Sequence, residues 1–256
     1  MALFTDGAIS SVGELAEHDS QLLTVATVEG IDVTRKAVLA QEELALELEV
    51  LLEPWMRLEH VVVTPPLRLW HAYRCLEMVY QDAYNNQLND RYANKRDEFR
   101  QMARWAMDRF LGRGVGVAGH PVPRAGRPSV MATPGTLPDG TYYVAVSWLN
   151  AEGEEGATSE AVGVTTASSS FLVRPLAASP EGREGDPEGN LEGEPTAGWN
   201  VYAGVDPLEL ARQNQTPNPM AASWVQPGEL LTSGKRPSPG QAPSYMRRVA
   251  RRLQRG

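Results

Sequence analysis

Gly114-Val115-Gly116-Val117-Ala118-Gly119 matches GxGxxG, the glycine pattern that lets a backbone close on a pyrophosphate. That chemistry needs a strand before the glycines and a helix after them. Here a helical pattern precedes, and His120-Pro121-Val122-Pro123 follows and cannot open a helix, so the run reads as linker. The histidines His18, His60, His71 and His120 show neither HExxH nor i,i+4 spacing, and no metal site follows from them. His71, beside Trp70 and Tyr73 in a helical pattern, reads as a partly buried bundle residue. Cys75 is the only cysteine, which excludes an internal disulfide. Set among helical apolar residues, it reads as a small buried side chain and not as a nucleophile. Glu42, Glu43, Glu47, Glu49 and Glu53 supply paired acids of the kind glycoside hydrolysis uses. A sugar cleft also needs aromatic platforms, which this helix lacks. The acids alternate with leucines, the mark of a solvated face opposite a buried stripe. With no GxSxG, no P-loop and no Ser/His/Asp context, the reading is of a protein without catalytic residues, cofactor or metal.

The C-terminus is the one segment patterned to dock. Ser244-Tyr245-Met246-Arg247-Arg248-Val249-Ala250-Arg251-Arg252-Leu253 follows Pro237, Pro239 and Pro243. Read as a helix, it places Tyr245/Met246, Val249 and Leu253 on one face and arginines on the rest. Nucleic acid, an anionic membrane, an acidic protein groove or plain solubility would each account for arginines. The apolar stripe favours protein docking, with arginine forking to carboxylates.

The elements that must carry these residues fall into two grammars. The first 112 residues read as a helical bundle. Ser11 with Glu14 is a capping box, Asp19 can cap the segment from Ser20 to Val28, and Gly30 ends it. Asp32 or Thr34 caps a longer helix, in which Ala37, Ala40, Leu44, Leu48 and Leu51 recur until Pro54. Thr64 before Pro65-Pro66 opens the next. Its face is Leu69, Tyr73, Leu76, Tyr80 and Ala83, and Asn85-Asn86 breaks it. Asn89 can cap a last helix with Tyr92, Phe99, Ala103, Ala106 and Phe110 on one side and Gly112 and Gly114 at its end.

Residues 113–138 are rich in Gly and Pro and read as a linker or leading strand. Residues 139–233 read as an antiparallel β-sandwich, with strands at Tyr142–Trp148, Ala161–Thr165, Phe171–Arg174, Trp199–Ala203 and Ala222–Val225 and a turn at Asn150–Gly153. Within it, residues 177–197 hold six acids and one base with almost nothing to bury, which predicts an exposed acidic loop. Residues 234–256 read as a Pro-rich tether and basic docking tail.

The formal net charge of −8 argues against a protein built to bind polyanions, but its distribution is uneven. Residues 1–60 hold 12 acids against 3 bases, residues 61–112 hold 8 bases against 6 acids, and the last ten residues carry five arginines. Such asymmetry points to faces that meet different partners. No apolar run reaches the roughly 18 residues of a membrane span. Met1-Ala2-Leu3-Phe4-Thr5-Asp6 has no basic or apolar region of a signal peptide, so none is expected.

The opening LFTDGAISSVGELAEHDSQLLTVATVEGIDVTRKAVLAQEELALELEVLL, with RDEFRQMARWAMDRFLGRG, resembles the adaptor (head-completion) proteins of tailed phages. TYYVAVSWLNAEGEEGATSEAV with GWNVYAG resembles fibronectin-III/Ig-like modules of virion proteins, with strand order departing from the standard domain. The resemblance implies a structural subunit of the virion neck, assembled in the host cytoplasm, where a lone cysteine stays reduced. It implies a ring of copies, twelvefold like the portal, meeting the portal above and a neck, stopper or tail-completion protein below. Genome DNA would pass through without specific binding, and no membrane is involved. Tyr245, Arg247, Arg248, Val249, Arg251, Arg252 and Leu253 would then dock on the portal. Glu42, Glu43 and Glu47 would line the channel, or else lie outside it or between subunits. The competing reading is a baseplate or fibre module whose Trp148, Trp199 and Trp224 stack on host glycan. A nucleic-acid-binding regulator would need a basic helix in the bundle, and the N-terminal helices are acidic.

Overall fold

The computed structural model describes residues 1–87, 90–176 and 197–247. Over these residues the chain forms α1 (Val12–His18), α2 (Leu22–Glu29), α3 (Val33–Leu51), α4 (Pro65–Gln87) and α5 (Ala93–Arg113). The strands follow: β1 (Val115–Val117), β2 (Ser129–Pro134), β3 (Gly140–Leu149), β4 (Val162–Thr166), β5 (Ser169–Arg174), β6 (Gly198–Gly204), β7 (Ala211–Arg212), β8 (Trp224–Val225) and β9 (Ser244–Met246). A helical region followed by antiparallel sheets makes the chain α+β. It divides into a helical unit, Gly7–Val117 joined by residues 243–247, and a β unit, Met1–Asp6 with Ala118–Ala242. No helix among the described residues is long and apolar enough to cross a membrane.

Local signals set the helix ends. Ser11 Oγ accepts from the Glu14 N–H at 3.2 Å while the Glu14 carboxylate accepts from the Ser11 N–H at 2.7 Å, a complete capping box on α1. Gly30 closes α2 at φ +67°, a left-handed conformation that other residues rarely adopt. Asp32 caps α3 by accepting from the Arg35 N–H at 3.0 Å. Thr64 precedes α4 as expected, yet its buried Oγ1 finds no hydrogen-bond partner among the described residues. A capping hydroxyl accepts from the second or third helical N–H, and Pro66, at the second position, has none.

The centre of this unit is α4. Leu67, Trp70, His71, Ala72, Cys75, Leu76, Val79, Tyr80 and Ala83 are all buried, so the single face predicted from sequence is too narrow. A helix apolar on most sides is one surrounded by its neighbours. The small Ala37 and Ala40 of α3 are buried with Leu44 and Leu48, while α5 brings Phe99 and Phe110. Tyr80 stacks on Phe99 with ring centroids 5.5 Å apart, and Trp70 lies 5.6 Å from Phe110. The helix also runs through Asn85-Asn86 to Gln87, correcting the break predicted there. Asparagine lowers helix propensity only slightly, and the Gln81 side-chain amide donates to Asn85 Oδ1 at 2.8 Å. The Asn89 cap lies outside the described residues.

In the β unit every strand pair is antiparallel. One sheet has the order β4-β3-β6-β7 and the other β2-β5-β8. Alternation along β3 sends Tyr142, Val144, Val146 and Trp148 into one apolar cluster. Phe171 and Val173 of β5 and Trp199, Val201 and Ala203 of β6 enter the same cluster. Trp148 and Trp199 are directly opposite across β3 and β6, and Trp199 Nε1 donates to the Pro219 carbonyl at 2.9 Å.

Two Gly- and Pro-rich segments are packed. Residues 113–138, read as linker or leading strand, include strands and are not a free linker: they contain β1 and β2, and Val122, Ala125 and Leu137 are buried in the β core. Glycine and proline exclude a helix but leave the chain free to pair or pack when extended. Nor is the proline-rich stretch before Ala242 loose. The Arg212 N–H donates to the Lys235 carbonyl at 2.8 Å, and Thr158 Oγ1 donates to the Ser238 carbonyl at 3.2 Å. Buried Gln241 accepts from the Val122 N–H at 2.6 Å and donates to the His120 carbonyl at 2.8 Å. The acidic stretch 177–197 lies outside the described residues except for Ala197.

His71 gives the helical unit a pH signature. Its Nε2 lies 3.0 Å from the Ala37 carbonyl, which can only accept, so Nε2 carries the proton and Nδ1 accepts from Ser10 Oγ at 3.1 Å. Burial outweighs the Ala37 hydrogen bond and holds the imidazole below its ordinary pKa. The unfolded chain takes up a proton near pH 6.5, where the folded chain refuses it. Stability should therefore be full above about pH 6.5 and fall as the pH drops below it. Melting curves across that range should show the fall, and His71→Gln should flatten it.

Candidate functional site

Three helices place a chain of charges in a groove. α3 and α5 both pack on α4, and between them opens a cavity of about 440 Å³. Leu44, Trp70, Ala103 and Met107 supply apolar lining, and Glu43, Glu47, Arg74, Glu77, Arg100 and Arg104 supply the charge. Arg74 donates from Nε to Glu43 at 2.6 Å and from Nη1 to Glu77 at 2.7 Å. Arg100 donates from Nε to the other Glu77 oxygen at 2.9 Å. Glu77 is buried, and it is the joint of a chain running from α3 through α4 to α5. Its hydrogen bonds to Glu43 and Glu77 outweigh burial and hold the Arg74 guanidinium above its usual range, so it stays charged.

This arrangement decides where the predicted acids stand. Glu43 is engaged by Arg74, and Glu42 lies 3.8 Å from exposed Arg35. Glu47 lines the groove and is exposed, with no ion pair among the described residues. Of the three acids assigned to a channel wall, only Glu47 keeps an uncompensated charge. Sequence reasoning missed Arg74, Glu77 and Arg100. The i,i+3 spacing of Arg74 and Glu77 on α4 was a legible signal. The contribution of Arg100 requires knowing that α5 packs on α4.

The tail is placed only in part. Residues 244–246 are not helical: β9 pairs antiparallel with β1, Gly116 opposite Tyr245. Arg113 lies over the Tyr245 ring at 4.5 Å, and Arg247 Nε donates to the Arg113 carbonyl at 3.2 Å. The helical stripe therefore cannot begin at Tyr245, because backbone pairing with β1 holds that segment extended. Arg248, Val249, Arg251, Arg252 and Leu253 lie outside the described residues. The same contact explains the glycines of the GxGxxG match. A Cβ on Gly114, which has φ +99°, would sit 2.5 Å from the Met246 carbonyl oxygen, and one on Gly116 would sit 2.6 Å from Thr64 Cγ2. These two glycines admit β9 and Thr64, and the structure gives them a packing reason where the motif suggested a phosphate.

The remaining candidates are absorbed by packing. Burial pushes the Cys75 thiol up to about 12, so it is not a thiolate near neutrality. Trp148 and Trp199 are buried in the β core and Trp224 packs partly buried against it, which removes two of the three stacking platforms. No cluster of His, Cys, Asp or Glu suited to a metal occurs among the described residues. The chain matches no known family model, no curated protein and no solved structure.

If Glu77 joins the three helices, Glu77→Gln should lower stability by about 2 kcal/mol, the scale of hydrogen bonds to a charged partner. Urea unfolding measures this. A loss below about 0.5 kcal/mol would mean solvent screening already cancels the chain.

Proposed function

We propose that the protein is a structural subunit of a tailed-phage neck, an adaptor that assembles as a ring beneath the portal. In this reading the helical unit builds the ring, and the β unit is an Ig/fibronectin-III-like module. The basic segment beyond Arg247 is an arm for the portal. The virion is its site of action, and it performs no catalysis.

The observation that carries the reading is the anchoring of β9. An arm that docks on a partner must leave a fixed point, or ordering it at docking costs conformational entropy. Here β1, continuous with the end of α5, pairs with residues 244–246, and Arg113 covers Tyr245. The arginines that follow thus start from a strand paired within the helical unit. The sequence resemblance to adaptor proteins and the helices-then-sheets order support the same reading. The β unit has two antiparallel sheets around one core, as an Ig-like module would, but its strand order departs from the standard domain.

The docking experiment follows from the placement of β9. A chain ending at Arg247 keeps β9 and should melt like the full protein. It should fail to join portal-containing heads in a reconstitution followed by particle imaging. Incorporation at the normal level would overturn the docking role. Removal of residues 244–256 should in addition destabilise the helical unit, because β1 loses its partner strand.

A further inference from the structure

We propose that the outward face of α3 on one copy docks against the outward face of α5 on the next, so that copies join head to tail. The inference deepens the ring reading above and rests on it.

Helical geometry puts Glu42, Leu46, Glu49 and Val50 on the side of α3 opposite its buried Ala37, Ala40, Leu44 and Leu48, and exposed Glu53 follows just past the helix end. Leu46 and Val50, one turn apart in the middle of that side, are 67% and 65% exposed. Two large aliphatic side chains so open, with Glu42 and Glu49 beside them, form an apolar centre with a charged rim, the anatomy of an interface. The corresponding side of α5 is its chemical complement. Opposite buried Phe99, Ala103, Ala106 and Phe110 lie Arg104, Trp105, Asp108, Arg109 and Leu111. Trp105 is 48% exposed and Leu111 43%, and the Arg109 guanidinium lies 5.6 Å from the Trp105 ring centre. Tryptophan and arginine are the side chains that most often dominate binding at interfaces.

The charges on these faces are available. Arg74 and Arg100 are consumed inside the groove by Glu43 and Glu77. Glu49, Glu53, Arg104 and Arg109 enter no ion pair among the described residues. An acidic apolar face and a basic aromatic face on two different helices of one unit fit a second copy of the same chain. The contact is heterologous, the kind whose repetition closes a ring.

The test is a charge swap on the full-length chain, read by mass photometry and sedimentation across concentration and salt. Glu49→Lys with Glu53→Lys reverses the charge at the C-terminal end of α3, and Arg104→Glu with Arg109→Glu makes α5 acidic. Each pair alone should weaken self-association about tenfold or more, since like charges then face each other, with melting temperature unchanged. Mixing the two variants, or placing all four changes in one chain, should restore it. As a second probe that leaves charge alone, Trp105→Ser and Leu46→Ser should each weaken assembly. Assembly of every variant like the parent overturns the proposed faces while leaving the ring itself intact. A folded mixture that does not recover also overturns them. So does a parent chain that stays monomeric at every concentration. Failure of the ring reading shows separately, as the lack of a ring of copies at the neck when intact particles are imaged.

Discussion

The β unit depends on one buried carboxylate. Glu155 lies on the face of β3 and β6 turned away from the apolar cluster, where it accepts from Ser147 Oγ, Asn200 Nδ2, Tyr202 Oη and Lys235 Nζ. Burial by itself pushes this carboxyl up, and the four donors together outweigh it and hold the group below its ordinary value. An ionised carboxylate out of water is costly unless it is paired and hydrogen-bonded. Glu155 therefore cannot sit there unless all its partners arrive, and they come from β3, β6 and the segment after β8. It joins three parts of the chain far apart in sequence.

The same constraint explains a segment that has little regular structure. Residues 205–242 contain only the two-residue strands β7 and β8, so most of their backbone groups lack ladder partners. Buried amides take that role. Asn214 accepts from the Val201 N–H at 2.9 Å and donates to the Thr216 carbonyl at 2.8 Å. Gln213 donates to the Leu231 carbonyl at 3.0 Å and accepts from its N–H at 2.9 Å, and Gln226 donates to the carbonyls of Gly228 and Glu229. A side-chain amide carries both donor and acceptor and so can stand in for a strand. In the helical unit His71 does the equivalent between Ser10 and the Ala37 carbonyl.

This is also why some of the structure was legible in the sequence and some was not. Ser11 with Glu14, Gly30, Asp32 and the Phe99–Phe110 stripe are local signals, resolved within one or two turns of helix, and each stands where the spacing predicts. The strands at Tyr142–Trp148 and Trp199–Ala203 were equally legible from alternation. Glu155 was not, because Asn150–Glu160 looks like any polar turn until its donors are placed around it. The Gly/Pro segments were only half legible, for another reason. Composition says that such a chain will not be helical, and Val122, Leu137 and Gln241 show that it can still be packed. Of the candidate site, the acidic face of α3 was legible and its partial neutralisation by Arg74 was not, since that depends on how α3 lies against α4.

The distribution of charge over the helical unit has a further consequence for symmetry. A two-fold contact sets the same patch on both copies against itself. α3 against α3 would bring glutamates together, and α5 against α5 would bring Arg104 and Arg109 together, so both isologous pairings are penalised by like charge. Pairing α3 with α5 removes that penalty and covers Leu46 and Trp105 in one event. The ion pairs in the groove reinforce the choice. By occupying Arg74 and Arg100 with Glu43 and Glu77, they keep those arginines from neutralising the rest of α3. The internal chain that fastens three helices together thus also leaves opposite charges on two separate outward faces. Head-to-tail association is the arrangement that such a sorting favours.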